Sequence, residues 1–317
     1  MNGQQVKSSE PAVQTAVVMC THNGARFVAQ QLASIAAQTS QVDEMYLFDW
    51  NSRDETAQIV QDWIASQQPA SRTMRLQKMD TAPGPARSFL HALELVAHES
   101  DAELIFLSDQ DDIWTPQKVQ AFTDSYGGAE GAFDLAFSDV MVLEDADGRV
   151  RPTFYGEGSP YVRPSSVRDS SLLVTNPAIG MTMCVRREWL VRVSAAFRLH
   201  WIMHDWALMA LCWITGARAR YIDVPLVSYR QHDSNTLGAS TSRSILSRAG
   251  HIRAHVSEVR RQIDSMVAAR ELLGGTAEMA GVLDRAKHKW HQVRVAAQSR
   301  MLTPRYRVLL AGALAIF

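Results

Sequence analysis

With 317 residues, and 32 Lys and Arg set against 33 Asp and Glu, the chain is long enough to bury a large core and too close to neutral for a general nucleic-acid binder, which carries a basic domain or stripe. Its three cysteines, Cys20, Cys184 and Cys212, are far apart and lack C-x-x-C spacing, which argues against zinc and disulfide frameworks and marks them as small core residues of a reducing compartment. No signal-peptide pattern precedes Ala16 and no run reaches the roughly eighteen apolar residues of a membrane span, so a cytoplasmic protein is expected.

Residues 1–15 are polar and aperiodic and are expected to form a flexible N-terminus. Ala16-Val17-Val18-Met19-Cys20 is a short apolar run ending in Thr21-His22-Asn23-Gly24, after which Phe27, Leu32 and Ile35 recur at helical spacing to about Gln38. The unit repeats. Strand-like Met45 to Phe48 ends at Asp49-Trp50-Asn51-Ser52, and Asp54 is placed to start a helix carrying Ile59, Trp63 and Ile64. A third strand, Met74 to Gln77, leads through Thr81-Ala82-Pro83-Gly84-Pro85 into a helix with Phe89, Leu90, Leu93 and Val96 on one face. Leu104 to Leu107 is the fourth strand. Strands alternating with amphipathic helices imply right-handed crossovers and a parallel sheet, so all four polar strand ends should converge on one edge.

Beyond Pro116 the alternation loosens. Leu135 to Phe137 and Val140 to Leu143 read as two strands separated by Ser138-Asp139, and Asp145 to Ser171 reads as a long loop of the kind that forms lids or binding segments. A helix is predicted from about Glu188, and a second, apolar one opens at His204-Asp205-Trp206, runs towards Ile214 and stops at Gly216. Tyr221 to Asp223 and Leu226 to Tyr229 read as two further strands. From Ile245 to Leu273 and from Ala277 to Ala297 the pattern is helical and rich in Arg, His and Lys. The apolar Leu309 to Phe317 run is too short to span a bilayer; packing on the body and contact with a membrane surface both stand open.

The chemistry is concentrated in Ser108-Asp109-Gln110-Asp111-Asp112-Ile113-Trp114, which directly follows the fourth strand. Unpaired buried carboxylates cost several kcal/mol each by order of magnitude, so three acids at the end of a buried strand call for a cationic partner. Ligands of open α/β sheets bind at the carboxyl ends of the strands, which makes this turn a site by position as well. The competing reading is an acidic turn in which Asp112 or Thr115 caps a helix starting near Pro116. The candidate constellation is Asp109, Asp111, Asp112, His232 and Asp205; two acids with one imidazole and several waters suit Mg²⁺ or Mn²⁺, whereas zinc would take more His or Cys. No Walker A, G-x-G-x-x-G, G-x-S-x-G or H-E-x-x-H pattern occurs.

Seven stretches together (Cys20 to Gly24, Asp49 to Asp54, Gly84 to Phe89, Ser108 to Trp114, Asn176 to Met183, His204 to Trp206, and Tyr229 to His232) resemble family 2 glycosyltransferases of the GT-A fold, particularly the bacterial rhamnosyltransferase-like branch. The resemblance spans about Ala16 to Gly238, and its strength lies in the order and spacing of several motifs. It implies an α/β fold with a Rossmann-like mixed sheet flanked by helices. Residues 16–240 would form the transferase domain, split into a nucleotide-binding half (16–115) and an acceptor-binding half (116–240), with a helical C-terminal extension at 241–317. It also implies a single displacement with inversion. Asp111 and Asp112, with Asp109, would hold the metal that bridges the donor diphosphate, and His232 would complete the metal or phosphate contacts. Asp205 would be the general base, which a carboxylate suits if it stays ionised and within reach of the attacking hydroxyl.

By the same resemblance Thr21, Asn23, Asp49, Trp50, Arg87, Asp109, Gln110 and Asp111 would bind the nucleotide sugar, dTDP- or UDP-linked. Asn176, Thr182, Met183, His204 and Trp206 would line the acceptor site for a saccharide or lipid-linked saccharide. One position departs from the family: the acid that usually follows Asp49 is Trp50, which either stacks on the base or packs inward. Arg87 is either a phosphate ligand at a helix start or a surface arginine, and His204 either tunes Asp205, touches the acceptor, or is a helix-start histidine satisfied by backbone. The rhamnosyltransferase-like branch points to dTDP-L-rhamnose and surface polysaccharide synthesis. The charge bias of the C-terminal helices, separately, points either to a peripheral contact at the inner face of the membrane or to a solvated helix face. A nucleotidyltransferase shares the acidic α/β site. A glycosidase uses paired carboxylates without nucleotide or metal. A sugar-nucleotide binding module that has lost turnover is the non-catalytic alternative.

Overall fold

The computed structural model describes residues 13–67, 72–144, 149–151, 153–155, 159–164, 169–231, 245–275 and 277–316. Strand β1 (Thr15–Thr21) leads to α1 (Val28–Ala36), β2 (Glu44–Trp50) to α2 (Thr56–Ser66), and β3 (Thr73–Met79) to α3 (Pro85–Glu99), followed by β4 (Leu104–Ser108). A two-residue strand, β5 (Ile113–Trp114), precedes α4 (Lys118–Gly127), and β6 (Leu135–Glu144), β7 (Arg149–Arg151) and β8 (Met183–Arg186) follow. Then come α5 (Arg187–Val193), α6 (His204–Ile214), β9 (Ala219–Gln231), α7 (Ile245–Leu273), α8 (Ala277–Ala286), α9 (Lys289–Gln298) and α10 (Pro304–Ile316).

The strands form one nine-stranded sheet in the order β3-β2-β1-β4-β8-β6-β9-β5, with β7 beside β6. The first four are parallel, as their helical crossovers require, while β8 runs antiparallel to both β4 and β6. Residues of β1 alternate between the two faces of the sheet: Val17 and Met19 join a core with α1 and α4, and Ala16 and Val18 join the larger core with α3, α5 and α6. Because β1 is buried on both faces, it reads as an uninterrupted apolar run. Helix α3 begins at Pro85 directly after Gly84, whose φ of 91° only glycine adopts without strain.

Several expected boundaries move. The two strands predicted around Ser138-Asp139 are one strand, β6, and the two around Val224 are one strand, β9. The register shifts at Ser138, Asp139 and Val140, opposite Ile222 and Pro225, so a bulge absorbs both the polar pair and the proline without ending either strand. The Asp139 carboxylate satisfies the bulge by accepting from Val140 N and Phe154 N. The predicted Ala277 to Ala297 helix is two helices, and Leu309 to Ile316 is the end of α10. Residues 1–12, at the expected flexible N-terminus, lie outside the described residues; Thr15 is already in β1, where Asp43 accepts from its backbone N–H and hydroxyl. Of the expected 145–171 loop, part lies outside the described residues and part forms β7. Val256, Val259, Ile263 and Met266 of α7 bury into the same core as Trp206 and Leu208 of α6. Among the described residues no helix is long and apolar enough to cross a membrane.

Candidate active site

A cavity of about 350 Å³ opens at the carboxyl ends of β1, β2 and β4, where the parallel topology gathers its loops. Its wall takes Thr21 from the end of β1 and His22 just after it, Trp50 from β2, Ser88 and Phe89 from α3, and Asp109, Gln110 and Asp111 from the acidic turn. Gly180, His204 and Asp205 face them from the other side, with Tyr229 of β9. Strands that are remote in sequence thus bring Thr21, Trp50, Asp109, Gln110, Asp111, His204 and Asp205 together.

On the β1 side the polar residues are engaged within the chain. Asp49, buried at 3% exposure, accepts from the Thr21 hydroxyl at 2.9 Å and from the Ser52 hydroxyl and N–H at 2.6 and 3.1 Å. Asn23, exposed and held at a φ of 49°, accepts the Arg53 N–H at 2.8 Å, so it shapes the loop without lining the cavity. The Gln110 amide accepts from His22 N at 2.9 Å and donates to His22 O at 3.1 Å, clamping the β1 loop to the acidic turn. A Cβ on Gly24 would meet the Gln110 amide, so this glycine leaves the clamp its room. Trp50 packs inward: it is 4% exposed and meets His91 edge-to-face in the core, while it also lines the cavity. Arg87 sits exposed in the first turn of α3 and does not line the cavity.

The capping reading of the acidic turn fails. Helix α4 starts at Lys118 without a side-chain cap, the Thr115 hydroxyl donates to Leu226 O at 3.3 Å, and Asp112 Oδ1 accepts from Arg230 N at 3.1 Å, so the turn is fastened to β9 instead. Asp109 and Asp111 face the cavity while Asp112 lies behind them, buried, its Oδ2 without a hydrogen-bond partner. Burial together with the charges of Asp111 and Asp205 pushes Asp109 up to about 7, and burial with Asp109 and Asp111 drives Asp112 well above the usual carboxylate range. Asp109 and Asp205 therefore feel each other across the cavity.

Two supports of this turn were not singled out from the sequence. Gln31, fully buried on α1, is oriented so that its nitrogen donates to Asp112 O at 2.7 Å and its oxygen accepts from Ser108 Oγ at 2.7 Å and Trp114 Nε1 at 3.0 Å. Lys118, also fully buried, donates to Met181 O at 2.6 Å and sits 3.6 Å from the Trp114 ring centroid, and burial lowers its pKa to about 7 against the opposing pull of Asp112 and Asp109. The signal for both was a polar residue on the apolar stripe of its helix: Gln31 between Val28 and Leu32, Lys118 beside Val119 and Phe122.

The α6 side is built differently. Asp205 accepts from Trp206 N at 2.6 Å, and the Gly180 N–H and the Asn176 amide also favour its ionised form, but burial outweighs them and sets its pKa at about 6. His204 stacks on Phe89 with ring centroids 4.2 Å apart, and neither ring nitrogen has a hydrogen-bond partner. Burial lowers its pKa to about 3, which keeps it neutral. Its expected satisfaction by backbone at the helix start is thus not met. A Cβ on Gly180 would collide with Nε2, so this glycine makes the room for the ring. The remaining residues expected at the acceptor site stand behind the wall. Trp206 donates its indole N–H to Leu172 O, Asn176 closes a turn with Ala178, Thr182 donates its hydroxyl to Ile179 O, and Met183 is buried at the start of β8. His232 lies outside the described residues.

Among the described residues no three His, Cys, Asp or Glu side chains gather as a ligand set. Even so, the turn suits a hard divalent cation: Asp109 and Asp111 offer oxygens to the cavity and Asp112 Oδ2 is buried without a partner.

A parallel β3-β2-β1-β4 half continued by antiparallel β8, with an acidic turn at the end of β4, defines a GT-A type fold, and solved glycosyltransferases share it. Staphylococcus aureus TarS 1–349 with UDP-GlcNAc superposes with a TM-score of 0.55 at 15% identity, over 95% of this chain and 87% of that one. The mannosyltransferase PcManGT of Pyrobaculum calidifontis, with GDP-Man and Mn²⁺, gives 0.52 at 16% identity over 96% and 86%. GalNAc-T7 with UDP, GalNAc and Mn²⁺ gives 0.57 at 12% identity over 92% of this chain and 52% of that one. Residues 16–130 match the model of the family described as glycosyl transferase family 2. The chain is similar to the dTDP-rhamnosyl transferase RfbG of Shigella flexneri, 26% identical in a 237-residue alignment that covers 71% of this chain and 75% of the relative.

Proposed function

We propose that the chain is an inverting transferase that moves a sugar, foremost L-rhamnose, from a dTDP- or UDP-linked donor to a hydroxyl of a saccharide or lipid-linked saccharide. It would act in surface polysaccharide synthesis at the cytoplasmic face of the membrane. The observation that carries this reading is the meeting of Asp205 with Asp109 and Asp111 across one cavity at the ends of the parallel strands. The rhamnose donor is favoured by the similarity to the Shigella relative. In this reading residues 16–115 hold the nucleotide and 116–240 shape the acceptor side.

Asp205 takes the proton of the acceptor hydroxyl while its oxygen attacks the anomeric carbon; the bond from that carbon to the diphosphate oxygen breaks, and its electron pair leaves with the nucleoside diphosphate. A pKa of about 6 leaves Asp205 mostly ionised at neutral pH yet basic enough to accept a proton. Neutral His204, with two unengaged nitrogens beside it, is a ready partner for sugar hydroxyls. Asp111 and Asp112, with Asp109 and His232, would hold Mg²⁺ or Mn²⁺, which would supply positive charge against the charge developing on the leaving diphosphate.

The test is product analysis across a panel of nucleotide sugars, with and without Mn²⁺, in the presence of acceptor saccharides. Release of a nucleoside diphosphate that needs both metal and acceptor is expected. Pyrophosphate as product would instead identify nucleotidyl transfer, and donor binding without transfer across the panel would identify a binding module.

A further inference from the structure

The C-terminal helices carry a pattern that the cavity does not explain. From Arg285 to the end of the sequence there are seven Lys or Arg residues and no Asp or Glu. Among the described residues nine large apolar side chains are exposed, and five of them, Trp290, Tyr306, Val308, Leu309 and Ile316, lie on α9 and α10. Arg305, Leu309, Gly312 and Ile316 share one face of α10 and are all exposed, while Ala313 and Leu314 are buried on the other side. Val308 and Ile316 are 73% and 75% exposed, values typical of polar surface residues.

A helix of this length covers about 20 Å, short of the roughly 30 Å of a bilayer core, so it does not span. An apolar stripe edged by arginines and free of acids suits the interfacial zone of a bilayer with anionic headgroups, where the stripe enters the headgroup layer and the bases meet phosphates. A second copy of the chain fits poorly, because it would set one basic face against another.

We propose that α9 and α10 dock the chain on an anionic lipid surface through Trp290, Val308, Leu309 and Ile316, with Arg294 and Arg305 against the lipid phosphates. The docking face is tied to the cavity. Val162 N–H donates to Met301 O and Thr303 N–H to Pro160 O, and Tyr161 between them lies close enough to Asp205 and to Tyr306 for both to oppose ionisation of its hydroxyl. Docking therefore holds the Asp205 wall near the lipid, the place where a lipid-linked acceptor would present its hydroxyl; this last step rests on the transferase reading, whereas the docking does not.

Sedimentation of the full chain with vesicles of phosphatidylcholine, alone or mixed with phosphatidylglycerol, tests it. Binding is expected with the mixed vesicles only, fading as salt shortens the screening length. The double variant Val308→Asp with Ile316→Asp is expected to weaken binding about tenfold or more, and Arg305→Glu about fivefold or more, with circular dichroism and nucleotide-sugar binding unchanged in both. Equal binding to both vesicle types, or no effect of either variant, overturns the proposal. So does a double variant that dissociates a dimer in light scattering while vesicle binding persists, since that assigns the face to a second copy. Vesicle binding without sugar transfer sinks the catalytic reading and leaves this one standing; transfer without vesicle binding does the reverse.

Discussion

On the wall formed by β1, β2 and β4, Asp49, Asn23, Gln110 and Gln31 are all engaged by hydrogen bonds within the chain, whereas on the wall formed by α6 the His204 ring is held by packing against Phe89 and Gly180 with both nitrogens unpartnered. The first wall is a preset cradle whose loops keep their shape without a ligand, which lowers the ordering cost of binding. The second keeps both polar atoms of a buried ring in reserve, where the first leaves single atoms, Asp112 Oδ2 and Trp50 Nε1, unpartnered. Leaving such groups unpaired costs of order 1–3 kcal/mol each, and a ligand that pairs them recovers it. Asp205 belongs to the same economy, since burial raises its pKa to about 6 despite four hydrogen bonds favouring its charge.

Replacing groups on each wall would break or sharpen this contrast. The largest expected effect is that of Asp205→Asn on turnover, a loss of about 10²- to 10⁴-fold with donor affinity unchanged; steady-state kinetics beside donor titration measures it, and wild-type turnover in the variant would remove the base assignment. In the unmodified enzyme kcat/KM should rise with pH through an inflection near 6 as Asp205 ionises.

The same variant should be more stable than the parent. Because the folded pKa of about 6 exceeds the ordinary 3.8, the folded state binds the proton more tightly. Ionised Asp205 thus costs stability fully above pH 6 and progressively less towards pH 4. Asn removes that cost, a gain of about 3 kcal/mol at pH 8 that shrinks as pH falls to 4, readable by urea denaturation at both pH values.

Smaller effects separate the walls more directly. Gly180→Ala forces His204 off its seat and should cost about 1–3 kcal/mol by overpacking, seen as a lower urea midpoint, and should raise the acceptor KM while leaving that of the donor. Gln110→Ala opens the clamp on His22, costs about 1 kcal/mol and should act on the donor KM instead. If both substitutions raised the same KM, the two walls would not divide the substrates between them.

Much of this was legible in the order of residues. The four parallel strands follow from alternating apolar runs and helical periodicity, and the acidic turn declares itself because three carboxylates cannot follow a buried strand without a purpose. The bulge that fuses the strands around Asp139 was not legible, because its compensation comes from Phe154 N, fifteen residues away. Nor were the inward packing of Trp50 and the burial of Asp112 behind Asp109 and Asp111, which depend on how the sheet turns each strand end.

By itself, then, the sequence determined the parallel half of the sheet and the strand ends that line the cavity, because periodicity and motif order are local properties of the chain. Only the tertiary structure decided which polar groups are engaged and which are left over. Gln110, Gln31 and Asp49 are engaged inside the protein; the nitrogens of His204 and one oxygen of Asp112 are not. The reason is that hydrogen-bond satisfaction is settled between residues far apart in sequence: Gln110 meets His22 across 88 positions and Asp112 meets Arg230 across 118.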